Sequence, residues 1–231
     1  MRVLISGGSR GIGSACVRRF ADAGWDVTFL YLHSAEQAER LAAETGALAV
    51  RADVADPAAV REAVPAAQDA LICCAGIASY GLFQDLSDED WNRLFAVNVG
   101  GVRNCVNAVF PGMLRAGRGS IVTVSSIWGL VGGACEAAYS AAKGAVQSLS
   151  LALAKEFGPS GIRVNCIAPG VIETDMLARF SRADLDDLKE QTPLGRIGTP
   201  EEVADAAFFL CSEQSAFITG QILSVGGGFG L

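Results

Sequence analysis

The sequence predicts an α/β fold: one domain built on a doubly wound, seven-stranded parallel sheet with helices on both faces. Three observations carry this expectation. Short β-rich apolar runs alternate with longer helical patterns along the 231 residues. Runs such as Ala70-Leu71-Ile72-Cys73-Cys74-Ala75 are apolar without alternation, as in strands covered on both faces. Repeated β–α alternation with right-handed crossovers leaves few other topologies.

The elements follow in order. Strands are expected near 2–6, 26–31, 47–51, 69–74, 119–125, 162–167 and 221–225. Helical patterns lie near 12–23, 35–45, 57–66, 88–115, 136–157 and 200–213. In the first helix Ala15, Phe20 and Ala23 form a sheet-facing stripe, with Arg18, Arg19 and Asp22 outside and Gly24 as the stop. The segment 170–199 is polar and broken by Pro193, Gly195 and Gly198. An insertion of that length in a compact domain reads as a substrate lid.

Composition narrows the function. Hydrophobic residues make up 51% and charged residues 19%, which excludes a disordered chain. A net charge of −7 argues against nucleic acid or an anionic membrane as partner. Mean hydropathy is +0.34, yet no apolar run approaches the roughly 18 residues of a spanning helix. The first strand begins at Arg2 or Val3, leaving no room for a secretory signal. Seven cysteines, at 16, 73, 74, 105, 135, 166 and 211, form no C-x-x-C pair. They suit buried small hydrophobes in a reducing cytoplasm rather than a metal site or disulfide framework.

Ser6-Gly7-Gly8-Ser9-Arg10-Gly11-Ile12-Gly13 joins the first strand to the first helix. Such glycines permit a tight turn and close backbone approach to a pyrophosphate at the positive helix end. In this position the turn points to dinucleotide binding and a Rossmann-type sheet. Folds that prefer NAD place an acid at the end of the second strand, on the ribose. Here that position is Tyr31, followed by Leu32, His33 and Ser34. With Arg10 able to fork onto a 2′-phosphate, NADPH is the expected cofactor. His33, the one histidine, reads as a surface residue.

Tyr139 and Lys143 are four apart in a helical pattern and share a face. Ser126 stands thirteen residues before Tyr139, just past the end of a strand. Parallel sheets bind ligands at those ends. A phenol has an ordinary pKa near 10. A lysine ammonium beside it favours phenolate, so Tyr139 could exchange a proton with a carbonyl oxygen while hydride moves at carbon. Ser126 could hold the same oxygen.

On these residues the chain resembles the short-chain dehydrogenase/reductase family over essentially its whole length. Within it the likeness is greatest to 3-oxoacyl-(acyl-carrier-protein) reductases. Further motifs carry the resemblance: Asp53-Val54, Ala75-Gly76, Asn98-Val99-x-Gly101, Pro169-Gly170, Pro193-Leu194-Gly195-Arg196 and Ile218-Thr219-Gly220-Gln221. It implies a catalytic set of Asn98, Ser126, Tyr139 and Lys143, with Asn98 holding a water that links Lys143 to solvent. It implies Asp53 on the adenine amino group, with Val54 beside it. Ala75 and Gly76 would pass the adenine ribose. Pro169, Gly170 and Ile172 would line the nicotinamide, with Thr174 on its carboxamide or phosphate. Tyr139 and Lys143 would touch the nicotinamide ribose. The chain departs from the family at Cys73-Cys74, where Asn-Asn is usual, at Ser6, where threonine is usual, and at Gly226, where aspartate is common.

The implied reaction is NADPH-dependent reduction of a 3-oxoacyl thioester, possibly bound to acyl carrier protein. Trp128 and Met176 belong to the expected substrate wall, with Tyr80, Leu177 and Phe180. Such reductases dock their acidic carrier with basic residues beside the active-site mouth. Arg115 and Arg118 stand near one such position, and Ser160 occupies the other. Apolar surface on the helices near 88–115 and 136–157 points to self-association, as a homotetramer or homodimer. Two other readings remain open: an NAD(P)-dependent alcohol dehydrogenase on a small ketone or alcohol, and a non-catalytic dinucleotide-binding subunit of a paired reductase.

Overall fold

Val3 and Ile5 of the first strand pack into one apolar layer, and Leu4 between them packs into the other. A strand buried on both faces needs an unbroken apolar run, which is what the sequence carries. The computed structural model describes residues 1–64 and 67–230. Its strands are β1 (Arg2–Ser6), β2 (Asp26–Tyr31), β3 (Leu48–Arg51), β4 (Ala70–Cys73), β5 (Gly119–Val124), β6 (Ile162–Pro169) and β7 (Ile222–Val225). They form one parallel sheet in the order β3-β2-β1-β4-β5-β6-β7. Val3 is in register with Val27 on one side and Ala70 on the other. The order reverses between β1 and β4, which opens a crevice at the carboxyl ends of those strands.

The helices of the described residues are α1 (Gly11–Asp22), α2 (Ala35–Thr45), α3 (Pro57–Ala63), α4 (Asp88–Phe95), α5 (Gly101–Ala116), α6 (Trp128–Val131), α7 (Ala137–Phe157), α8 (Arg182–Glu190) and α9 (Pro200–Cys211). Buried residues of α1, α2 and α9, among them Phe20, Leu41 and Leu210, cover one face of the sheet. Val60 of α3, Val109 of α5 and Val146 of α7 cover the other. Each large side chain so buried contributes about 1.5–3 kcal/mol relative to exposure. None of these helices is long and apolar enough to cross a membrane.

Three elements differ from the sequence expectation. The pattern read as one helix over 88–115 is broken by a π-helical turn, Ala96–Gly100. One extra residue per turn defeats a 3.6-residue reading, and such turns concentrate at functional sites. The segment 170–199 contains α8, started by a capping box between Ser181 and Asp184. It is amphipathic but buries none of its residues, so no apolar run announced it. The short helix α6 also went unexpected. The helix expected over 57–66 is seen as α3 to Ala63, and its end at 65 and 66 lies outside the described residues.

Candidate active site

Close packing fixes the conformation of the glycine turn. Gly7 has φ of +68°, and a methyl there would lie 2.7 Å from the Ala75 backbone. A methyl on Gly13 would lie 2.0 Å from Gly7 O. The turn is thereby pressed against the end of β4 and folded onto itself. Ser6 fastens the other side: Cys74 N donates to its carbonyl and Ala75 N to its hydroxyl, both at 3.2 Å. Ser6 thus holds the backbone just past the Cys73-Cys74 departure. Arg10 caps α1 with extended backbone and gives it no side-chain acceptor. The positive end of α1 therefore faces the cleft with its amides available for an anion.

A cleft of about 510 Å³ runs along the carboxyl ends of the strands. Of the residues named from the sequence, Gly7, Ser9, Arg10, Gly11, Ile12, Gly13, Tyr31, Ser34, Asp53, Val54, Ala75, Gly76, Ser126, Trp128, Tyr139, Lys143, Pro169, Gly170, Ile172, Thr174 and Met176 all line it. Asn98 does not. It is buried one layer back, where its amide exchanges two hydrogen bonds of 2.8 Å with the backbone of Ile77. Gly76 forms the partition: a methyl on it would lie 3.0 Å from Asn98 Oδ1 and 3.3 Å from Lys143 Nζ.

Tyr139, Lys143 and Ser126 are each at least 90% buried. Lys143 Nζ donates to Val124 O at 2.9 Å and stands 5.6 Å from the centre of the Tyr139 ring. Burial pulls the Lys143 ammonium down to about 8. Ser126 Oγ accepts from Trp128 N at 3.2 Å. Behind them Gln147 donates to Ser125 Oγ at 3.0 Å and to Ser126 O at 3.1 Å, and Ser125 Oγ donates to Lys143 O at 2.8 Å. These bonds clamp the end of β5 to α7, so the serine and the tyrosine–lysine pair are held by one buried network.

At the other end of the cleft, Arg10 pairs with Asp175 at 3.0 Å and Asp53 pairs with Arg93 at 3.1 Å. Thr174 lies over the turn, 3.2 Å from where a Gly11 methyl would be. At the remaining departure, Gly226 abuts Gly170, and a methyl on Gly226 would lie 3.1 Å from the Gly170 backbone. One placement corrects the sequence reading. Arg118 and Arg115 precede β5 and lie at the amino end of the sheet, whereas the cleft opens at the carboxyl end. Within one chain they are not beside its mouth, and Arg118 pairs with Asp69 at 3.3 Å.

The cleft also holds residues that sequence reasoning missed: Arg93, Glu136 and Phe229. Glu136 was legible, because it stands three residues before Tyr139 and extends the same helical stripe backward. Phe229 gave no signal. It follows a glycine run and is brought in by an edge contact with Trp128, centroids 5.5 Å apart. Among the described residues no cluster of metal-ligating side chains occurs.

Fold and site together define a nicotinamide-dinucleotide-dependent oxidoreductase. The family profile described as Enoyl-(Acyl carrier protein) reductase matches residues 7–230, and the chain belongs to the short-chain dehydrogenase/reductase family. It is 40% identical to the 3-oxoacyl-(acyl-carrier-protein) reductase FabG of Chlamydia muridarum, over 97% of this chain and 95% of that one. It is 39% identical to the uncharacterized oxidoreductase YmfI of Bacillus subtilis, over 98% and 97%. The crystal structure of a 3-oxoacyl-(acyl-carrier protein) reductase from Brucella melitensis superposes with a TM-score of 0.94 at 34% identity, covering 100% of this chain and 91% of that one.

Proposed function

We propose that this chain is an NADPH-dependent ketoreductase that converts a 3-oxoacyl thioester, carried by acyl carrier protein, into the 3-hydroxyacyl form. The observation that carries the reading is the presence of Ser126, Tyr139 and Lys143 in one cleft with the glycine turn. The cradle suits a dinucleotide: close packing at Gly7 and Gly13 leaves the backbone bare for a pyrophosphate, and Arg10 stands beside it. Ser9, Gly11 and Ile12 would bind the pyrophosphate, Asp53 and Val54 the adenine, and Thr174 with Pro169 and Gly170 the nicotinamide end. Bound NADPH supplies hydride to the carbonyl carbon.

The protein's own groups do the rest. Ser126 holds the carbonyl oxygen by a hydrogen bond, and Tyr139 gives that oxygen a proton. Lys143, fixed on Val124, stabilises the phenolate left behind and returns a proton to it. Its lowered value suits that traffic, since an ammonium titrating near 8 loses and regains protons at working pH. Asn98 acts from behind Gly76, by fixing the Ile77 backbone at the wall of the site. The segment 170–199 closes the substrate side as a lid.

Self-association belongs to the same reading. Leu223 on the edge strand β7, Phe209 on α9 and Phe217 between them are exposed, as are Leu114 on α5 and Leu151 on α7. Such surface on an edge strand and three helices supports a homo-oligomer, and elution as a strict monomer in gel filtration would refute it. The catalytic test is NADPH consumption with 3-oxoacyl thioesters of several lengths, presented on carrier protein and as N-acetylcysteamine esters. Turnover with both and a lower KM for the carrier form is expected. No turnover with any of them defeats the proposal.

A further inference from the structure

Gln147 continues the stripe of Tyr139 and Lys143 by one more turn of α7 and is buried with them. Unlike them it does not line the cleft. Its side-chain nitrogen carries two hydrogens. One goes to Ser125 Oγ at 3.0 Å and the other to Ser126 O at 3.1 Å. The Ser125 hydroxyl gives its own hydrogen to Lys143 O at 2.8 Å, so it can only accept from residue 147, which fixes which way round the amide sits. Ser126 is thereby held from both sides. Toward β6, its neighbours Ser125 N and Ile127 N donate to Ile167 O at 2.7 Å and Pro169 O at 2.9 Å. Toward α7, its carbonyl accepts from Gly129 N at 3.0 Å and from Gln147. Ser126 Oγ accepts from Trp128 N at 3.2 Å and keeps its own hydrogen to give to a substrate oxygen. The turn from Ser126 to Gly129 is pressed on the helix: a methyl on Gly129 would lie 2.7 Å from Gln147 Nε2 and 2.8 Å from the Lys143 carbonyl carbon.

Burying an amide is costly where an unbranched apolar side chain of the same length would fill the space. Here the amide is not needed to satisfy its neighbours. Without it Ser125 Oγ still has Lys143 O, and Ser126 O still has Gly129 N. Stability therefore gives little reason for a glutamine at this place, whereas the direction of Ser126 gives one. We propose that Gln147 is a positioning residue for the reduction: by holding the Ser126 carbonyl on α7 it aims the Ser126 hydroxyl at the oxygen that Tyr139 protonates. The inference rests on the ketoreductase reading and adds to it a residue that acts through Ser126 from behind the cleft.

Gln147→Met keeps the length and removes both donors. It should melt within about 5 °C of the wild type. Its kcat should fall about 10- to 100-fold, the cost of a misaimed group, while KM and NADPH affinity stay within a few-fold. Gln147→Glu sets an acceptor against Ser126 O and should lose at least as much. The deciding readout is a double-mutant cycle. On a Ser126→Ala background Gln147→Met should change kcat by less than about 2-fold, because no hydroxyl is left to aim. An unchanged kcat in Gln147→Met overturns the assignment. So does a loss that recurs in full on the Ser126→Ala background, since residue 147 then acts by another route. If neither Gln147→Met nor Gln147→Glu melts cooperatively, residue 147 is a determinant of the fold and the assignment also falls. Rates are measured with 3-oxoacyl N-acetylcysteamine esters and with a plain diketone, 1-phenyl-1,2-propanedione. Turnover of the diketone alone sinks the thioester reading, and the same cycle then decides Gln147 on the diketone. Turnover of neither by the wild type sinks both.

Discussion

Asn98 and Ile77 exchange two hydrogen bonds, side-chain amide against backbone, in the wall behind the catalytic cleft. The π turn at Ala96–Gly100 carries Asn98 in that wall. Asn98→Ala strands the N–H and C=O of Ile77, at a cost of about 1–3 kcal/mol. Asn98→Asp keeps the acceptor and sets a carboxylate oxygen against the Ile77 carbonyl, so it should destabilise at least as much. Urea unfolding should show lowered midpoints with unchanged slopes. A midpoint for Asn98→Ala equal to that of the wild type would show that the pair does not hold this wall.

Replacing Tyr139 with Phe removes the proton donor and little else. Turnover should fall by about 10²–10⁴-fold, the usual range for a positioned acid or base. NADPH affinity, followed by cofactor fluorescence, should stay within a few-fold. An undiminished rate would remove the phenol from the mechanism.

Lys143 links pH to stability. Its ammonium has an ordinary value of 10.5 and is pulled down to about 8 by burial. Above the folded value the native state has shed a proton that the unfolded state keeps until 10.5. Stability from this group therefore rises with pH across the window from 8 to 10.5, and the cost of burying the charge is fully present below 8. That cost is about 3 kcal/mol. Lys143→Met escapes it, although Val124 O loses its donor. The wild type should thus gain on the variant between pH 8 and 10.5 in urea titrations. A constant difference over that range would contradict the burial argument.

Arg10 reaches Asp175 across the cofactor end of the cleft, with both side chains more than half exposed. A surface pair of this kind contributes at most about 1 kcal/mol. Arg10 can therefore exchange Asp175 for a 2′-phosphate at little cost. Arg10→Ala should weaken NADPH by about 10- to 100-fold and leave NADH within about 3-fold. Asp175→Ala should tighten NADPH by no more than about 5-fold. Equal losses of NADPH and NADH on replacing Arg10 would assign it to the pyrophosphate instead.

All seven strands were legible within a residue or two, because apolar runs bounded by turn residues are a local property of the chain. The glycine turn was legible for the same reason: Gly7 and Gly13 meet across six residues. Tyr139 and Lys143 share a helical face that counting alone reveals. The break in the 88–115 helix was not legible, since the π turn is held by Asn98 meeting Ile77, and that contact spans 21 residues.

The sequence by itself determined the sheet, the glycine turn that follows its first strand and the helical face that carries phenol and ammonium. Tertiary structure alone decided that Asn98 sits behind the cleft, that Arg115 and Arg118 lie at the opposite end of the sheet, and that Phe229 joins Trp128 at the substrate wall. Periodicity reports which side chains share a face of one element. Which elements then face each other depends on packing between segments far apart in the chain, where no local pattern records the partner.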